Sequence, residues 1–189
     1  MGAGMNVMTR PGMSLEEFLA WEAGQELKWE YDGAAPVEMT GGTLKHALIQ
    51  ANVIAALHAR LQGSAFLVFG SELKVQVDGR IRYPDAFVTH AGGAADSTVV
   101  LDPIVVFEVL SAGRTGLLDR NREHAATPSV QRYVMLEQGR AGGLVFGREG
   151  ADWVGRILEG GAVLRLPEIG TEVPVAEFYR GLTLPAPPG

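Results

Sequence analysis

Pro103–Ile–Val–Val–Phe–Glu–Val–Leu–Ser111 is a strand written almost wholly in apolar residues. A short Val/Ile-rich run between a proline and a serine predicts a buried strand. Strands covered on both faces are typical of sheets that carry a layer on each side. Glu108 interrupts the run. A buried ionised carboxylate is costly unless it is paired or binds a metal. Its neighbours on the strand offer nothing polar, so its partner must come from elsewhere in the fold.

The best partner on the N-terminal side lies in Arg82–Tyr–Pro–Asp–Ala–Phe–Val88. Asp85 follows a proline that fixes the chain direction and opens a second apolar strand. Two carboxylates on neighbouring strands repel each other. A divalent cation with oxygen ligands removes that penalty, and Mg²⁺ characteristically takes one or two carboxylates plus waters and substrate phosphates. Asp85 and Glu108 are therefore the first candidates for a metal site.

Around this pair the chain alternates helix and strand patterns. Ser14–Leu–Glu–Glu17 is a capping box that predicts a short helix. Residues 28–33 and 35–40 read as two short strands around a Gly turn. Thr43 opens the longest helical pattern, to about Leu61, with Leu44, Leu48, Ala51, Ala55 and His58 along one stripe and Ala47, Ile54, Leu57 and Leu61 widening it. Strands follow at 66–70, 73–77 and 80–83, the last two joined by the hairpin signal Asp78–Gly79, and Asp85–Thr89 is the next. Residues 91–99 read as a loop. After the Glu108 strand, Thr115 is a candidate cap for a second helix to about Ala126. Arg132–Glu137 is another strand, two or three more lie in 143–165, and Val175–Arg180 suggests a helical turn. The order predicts an α/β fold with a small mixed central sheet flanked by helices.

A chain of 189 residues, 47% of them hydrophobic and 20% charged, suits one soluble domain with a sizeable core. The reading is a single domain over 14–183, a disordered tail over 1–13 and a second tail over 184–189. No apolar run approaches the length of a membrane span, and the first residues lack the pattern of a secretory leader. The absence of cysteine excludes disulfides, thiolate zinc sites and cysteine nucleophiles, and fits a cytoplasmic protein. The net charge of −6 argues against a generic nucleic-acid coat. Seven of the acids fall in residues 1–40 against two bases, however, so the remainder is nearly balanced and can carry a local basic groove. There is no phosphate loop, dinucleotide glycine motif, helical metalloprotease motif or nucleophile elbow.

The element order, Pro84–Asp85 and then Glu108 on the next strand resemble the PD-(D/E)XK nuclease superfamily. More specifically, the chain resembles the Uma-two family of restriction-endonuclease-like proteins. The carriers are WEYDG (29–33), MTGGTLKHALIQANV (39–53), VFGSELKV (68–75), RYPDAFV (82–88), FEVLS (107–111), Asp119–Arg120 and PSVQRYVML (128–136). Each is weak alone; their order is specific. The resemblance implies a restriction-endonuclease-like fold and Mg²⁺-dependent phosphodiester cleavage, with Mn²⁺ as an alternative ion. It implies Asp85 and Glu108 as metal ligands with a third contact from the Val109 carbonyl. Glu30 takes the early acidic position, and His46 touches the scissile phosphate or hydrogen-bonds an acid. Gly41 and Gly42 let the long helix bring its N-terminus, suited to an anion, close to the site. Nucleic acid is the implied partner and a homodimer the implied assembly.

The superfamily pattern places a lysine two residues after the glutamate, where this chain has Leu110. Uma-type proteins usually carry it on the following helix instead, and Asp119–Arg–Asn–Arg–Glu–His124 holds none. Only Lys28, Lys45 and Lys74 exist. Lys74 is the candidate that could face the site, and the sequence leaves open whether it points to substrate or to solvent. The rival reading is a binding or assembly module that kept the fold and lost the lysine. The plainer alternatives are a turn-capping role for Asp85 and an ion pair of Glu108 with Arg82 or Arg114. Arg114, Arg120 and Arg122 read as a solvated face, and the three tryptophans as packing.

Overall fold

A computed structural model describes residues 12–39, 41–111 and 116–184. Helix α1 (Leu15–Glu22) starts as its capping box dictates: the Ser14 hydroxyl accepts from the Glu17 amide, and the Glu17 carboxylate accepts from the Ser14 amide. Strands β1 (Trp29–Tyr31) and β2 (Pro36–Glu38) form a hairpin, followed by helix α2 (Leu44–Leu61) with Thr43 as its cap. Next come β3 (Phe66–Gly70), β4 (Lys74–Val77), β5 (Arg80–Arg82), β6 (Ala86–His90), β7 (Val99–Val100) and β8 (Val105–Leu110). Asp78 and Gly79 both have positive φ, +46° and +71°, in the tight turn between β4 and β5. Helix α3 (Leu117–Ala126) leads to β9 (Arg132–Glu137), β10 (Gly142–Glu149), β11 (Asp152–Glu159), β12 (Val163–Leu166) and β13 (Thr171–Pro174). The chain then makes a 3₁₀ turn at Val175–Tyr179.

The central sheet has six strands in the order β11-β10-β9-β8-β6-β3, with β8 and β9 parallel and the other pairs antiparallel. One of its edges, β11, carries Asp152, Arg156 and Glu159; the other, β3, reads FLVFG and has no charge. A second sheet of five strands runs β2-β1-β5-β4-β7, and β12 and β13 make a separate ribbon. Period-two alternation assigns the faces. Val105, Phe107 and Val109 join Ile49, Val53 and Leu57 of α2 and Phe178 in the main core. Val106, with Phe87 and Tyr133, packs against Val75 and Val77 of β4. A third cluster seats Phe18 of α1 on Tyr31, Ile81 and Tyr83. The layers are thus α2, the central sheet, the second sheet and α1, and Glu108 lies between the two sheets.

Two expectations need correction. The buried stripe of α2 is Ile49, Val53, Ala56, Leu57 and Leu61, whereas Leu44, Ala51, Ala55 and His58 are exposed. The helix is alanine-rich around most of its circumference, so periodicity predicts a helix without fixing which face is inside. β7 and β13 were not foreseen, because strands of two and four residues give little alternation to read. Residues 112–115, with the proposed cap Thr115 and with Arg114, lie outside the described residues. The described cap of α3 is Gly116, which makes no side-chain hydrogen bond. Of the proposed N-terminal tail, Met13 is described, and its amide donates to the Ala34 carbonyl at 2.9 Å.

Candidate active site

The ladder between β6 and β8 pairs Ala86 with Phe107 and Phe87 with Val106. Asp85 directly precedes β6, at the end of that ladder where β8 continues into Glu108 and Val109. The Asp85 side chain reaches β8: its Oδ2 accepts from the backbone N–H of Val109 at 2.6 Å. Its Oδ1 meets Nε2 of His46, from the first turn of α2, at 2.7 Å. The Asp85 carbonyl accepts from Gln50, one turn further along α2, at 3.0 Å, and Gln50 also reaches the Ser71 hydroxyl at 2.9 Å. Asp85 is thus fixed by α2 on one side and by β8 on the other.

Close packing places His46. A Cβ on Gly42 would lie 3.0 Å from the His46 ring, so a larger residue at 42 would require the ring to give way by a few tenths of an ångström. Thr43 accepts from the His46 amide at 3.2 Å and donates to Oε1 of Gln138 at 2.6 Å, tying the start of α2 to the end of β9.

Glu108, only 2% exposed, faces the second sheet and α3. Its Oε1 lies 3.3 Å from Nη1 of Arg120, which is also 3.2 Å from Oε1 of Glu30 on β1. The Arg120 Nη2 donates to the other Glu30 oxygen. Arg82 stands 3.5 Å from Glu30 and makes a two-pronged pair with Glu123 of α3, at 2.8 and 2.7 Å. Two arginines and three glutamates therefore join both sheets to α3. Burial works against the charge of Arg120, but Glu108 and Glu30 more than compensate and hold its pKa well above the ordinary range. Beside them, burial and then the Arg120 and Arg82 charges push His124 down to about 3, so its ring is neutral.

The predicted residues divide into three groups. Asp85, His46 and the Val109 amide meet directly, and the Val109 contact that the structure records is made by its N–H. Glu108 and Glu30 meet through Arg120. Lys74 lies elsewhere: its ammonium bonds Glu22 of α1, which also accepts from the Tyr83 hydroxyl at 2.5 Å. Glu72 is a surface partner of Lys28. The tryptophans pack as expected, Trp21 against Trp29 and Trp153 against Phe146.

The expectation of a solvated face on α3 is corrected for Arg120, which is half-buried between two acids; Arg122 is exposed. Of the two arginines first considered for Glu108, Arg82 serves Glu123 and Glu30, and Arg114 lies outside the described residues. Arg120 and Glu123 were the residues missed. The available signal was their i, i+3 spacing, which puts opposite charges on one face of a helix. Gln50 gave no signal at all.

Among the described residues no group of three or more His, Asp or Glu is gathered to hold a metal. The donor types nevertheless fit Mg²⁺, which needs one or two carboxylates. Asp85, just before β6, and Glu108 of β8 provide two, and a protein cation, Arg120, already stands between Glu108 and Glu30.

The Uma2 family model, described as "Putative restriction endonuclease", matches residues 15–176. The "Uncharacterized protein slr1290" of Synechocystis sp. is 31% identical over 179 residues, spanning 91% of this chain and 94% of its own length. In the solved structures, "a putative nuclease belonging to DUF820" from Anabaena variabilis superposes with a TM-score of 0.72 at 16% identity, over 88% of this chain and 97% of that one. The fold is α/β and restriction-endonuclease-like. With residues 15–176 matched by its model, the chain belongs to the Uma2 family.

Proposed function

We propose that this protein is a divalent-cation-dependent nuclease that hydrolyses phosphodiester bonds of nucleic acid. The observation that carries the reading is the Asp85 carboxylate, just before β6, accepting from the amide of Val109, the residue after Glu108 on β8, with Arg120 bonding Glu108 and Glu30. Asp85 and Glu108 would hold Mg²⁺ or Mn²⁺. Bound there, such an ion would lower the pKa of a water and stabilise charge on a phosphoryl oxygen.

The protein's own groups do the positioning. His46 and the Val109 amide hold the two Asp85 oxygens, which fixes the direction of that carboxylate. Gln50 steadies the backbone at the same residue. Arg120 brings a permanent positive charge beside Glu108, and a guanidinium suits the charge of a phosphate better than it suits proton abstraction. Lys45 on α2 and Arg122 on α3 are exposed cations available to backbone phosphates.

The test is calorimetric titration of Mg²⁺ and Mn²⁺ into wild type and Asp85→Ala, joined to cleavage assays on mixed DNA and RNA. Binding lost in the variant, with cleavage by wild type, supports the nuclease. A second reading has its own observations: Leu110 stands where the superfamily has lysine, and Lys74 is engaged by Glu22. In it the protein is a non-catalytic module, and Glu30, Arg120 and Glu108 are a structural ion cluster. Metal binding without cleavage favours that second reading, and no metal binding rejects the first.

A further inference from the structure

β3 is an edge strand of five residues, FLVFG, paired on one side only, with β6. The Ala91 amide donates to the Ala65 carbonyl just before β3, which sets the phase of that ladder. The backbone groups of Leu67 and Phe69 therefore face β6, and those of Phe66, Val68 and Gly70 face outward. Two of the outward groups are satisfied within the chain. The Phe66 N–H donates to the Ser64 hydroxyl at 3.1 Å, and the Gly70 carbonyl accepts from the Leu73 amide at 3.3 Å. No described residue bonds the others, which are the Phe66 carbonyl, both groups of Val68 and the Gly70 N–H.

That remainder is its own complement. Set Val68 opposite Val68 of a second copy in an antiparallel pair. The two valines then exchange two hydrogen bonds, and each Gly70 N–H meets the other copy's Phe66 carbonyl. The positions left over hold the Phe66 N–H and the Gly70 carbonyl, and each copy already satisfies these itself. An unrelated peptide in the same register would leave its own carbonyl and N–H facing engaged groups, at the cost of unmatched buried polar atoms. The side chains agree. Leu67 comes opposite the second copy's Phe69, and both line a groove of about 740 Å³ with Leu73, Val100 and Leu101. Leu67 and Leu101 are exposed apolar groups there, so the open edge borders an apolar surface.

We propose that two copies of this chain pair through β3 about a two-fold axis at Val68, so that one sheet runs through both. Asp85 borders Gly70 of its own copy: its carbonyl oxygen lies 3.6 Å from where a Gly70 Cβ would be. The two candidate sites therefore stand at opposite ends of the joined strand pair. The pairing needs no metal and is independent of the nuclease reading.

The experiment is sedimentation equilibrium of the full chain as wild type, Val68→Pro, Leu67→Lys and Ile157→Lys, with circular dichroism of each. Proline at 68 removes an N–H that the β6 ladder does not use. Lysine at 67 sets a charge against the second copy's apolar side chains, and lysine at 157, exposed on β11, is the control at the other edge. Wild type and Ile157→Lys are expected to dimerise in the micromolar range. Val68→Pro and Leu67→Lys should weaken association at least about tenfold with wild-type circular dichroism. A wild type that stays monomeric overturns the pairing and leaves β3 open to an extended peptide of another protein. A dimer retained by folded Val68→Pro overturns it, as does one lost in Ile157→Lys, because the contact then lies elsewhere. Should Val68→Pro fail to fold, a dimer retained by Leu67→Lys overturns it instead.

Discussion

Arg82 of β5 grips Glu123 of α3 with two parallel hydrogen bonds, from Nε at 2.8 Å and Nη2 at 2.7 Å, and both residues are buried. Removing one member strands the other's charge. Arg82→Ala should cost about 3–5 kcal/mol, measured by urea unfolding, whereas the volume-matched double change Arg82→Met with Glu123→Leu should cost much less. Equal losses in the single and double variants would show that the pair's charge is not what holds α3.

His124 makes stability fall with acid. Its folded pKa is pushed down to about 3 from an ordinary 6.5, chiefly by burial. The unfolded chain therefore binds the extra proton between these values. The contribution is fully present above pH 6.5 and is lost as pH falls towards 3. The slope is up to about 1.4 kcal/mol per pH unit. Replacing His124 by Phe should flatten the fall in urea midpoint between pH 6.5 and 4 relative to wild type. Parallel curves for the two proteins would count against it.

Gly42 and Gly41 should behave differently although they are neighbours. A Cβ at 42 meets the His46 ring at 3.0 Å, and one at 41 meets nothing within 4 Å. Gly42→Ala is expected to shift the His46 ring away from Asp85, visible as changed imidazole nitrogen shifts by NMR, while Gly41→Ala leaves them in place. Unchanged shifts in both would mean that the ring has room to spare.

Gly143 permits β10 to approach β9. Its φ is +156°, and a Cβ there would lie 1.9 Å from the Met135 carbonyl oxygen. Backbone cannot yield as a side chain does, so Gly143→Ala should destabilise by about 3 kcal/mol or more in urea unfolding. A loss below about 1 kcal/mol would show that the two strands can separate there.

The legible parts of this fold are those with strong local chemistry. The Ser14 capping box, the Thr43 cap and the Asp78–Gly79 turn announced their elements because each satisfies backbone groups within a few residues. Glu108 was legible as a buried charge because a strand of Val, Ile and Phe surrounds it. Its partner was not, because Arg120 reaches it through tertiary packing, and a charged helix face looks the same in sequence whether it meets water or acids. Lys74 shows the converse: its alternating strand suggested an accessible face, and α1 covers that face with Glu22. The meeting of His46 with Asp85 rested on resemblance, since residues 39 apart in sequence give no local sign of contact.

The two borders of the central sheet differ in chemistry, and this sets a rule for assembly. β11 ends in water with Asp152, Arg156 and Glu159, charges that discourage a further strand. β3 has no such guard, and Leu67 is 43% exposed on it. A strand added to this sheet would therefore meet opposing charges at β11 and none at β3. Two copies joined through β3 about a two-fold axis would present β11 at both outer borders. Such a union terminates itself: it is complete at two and offers no seed for a fibre.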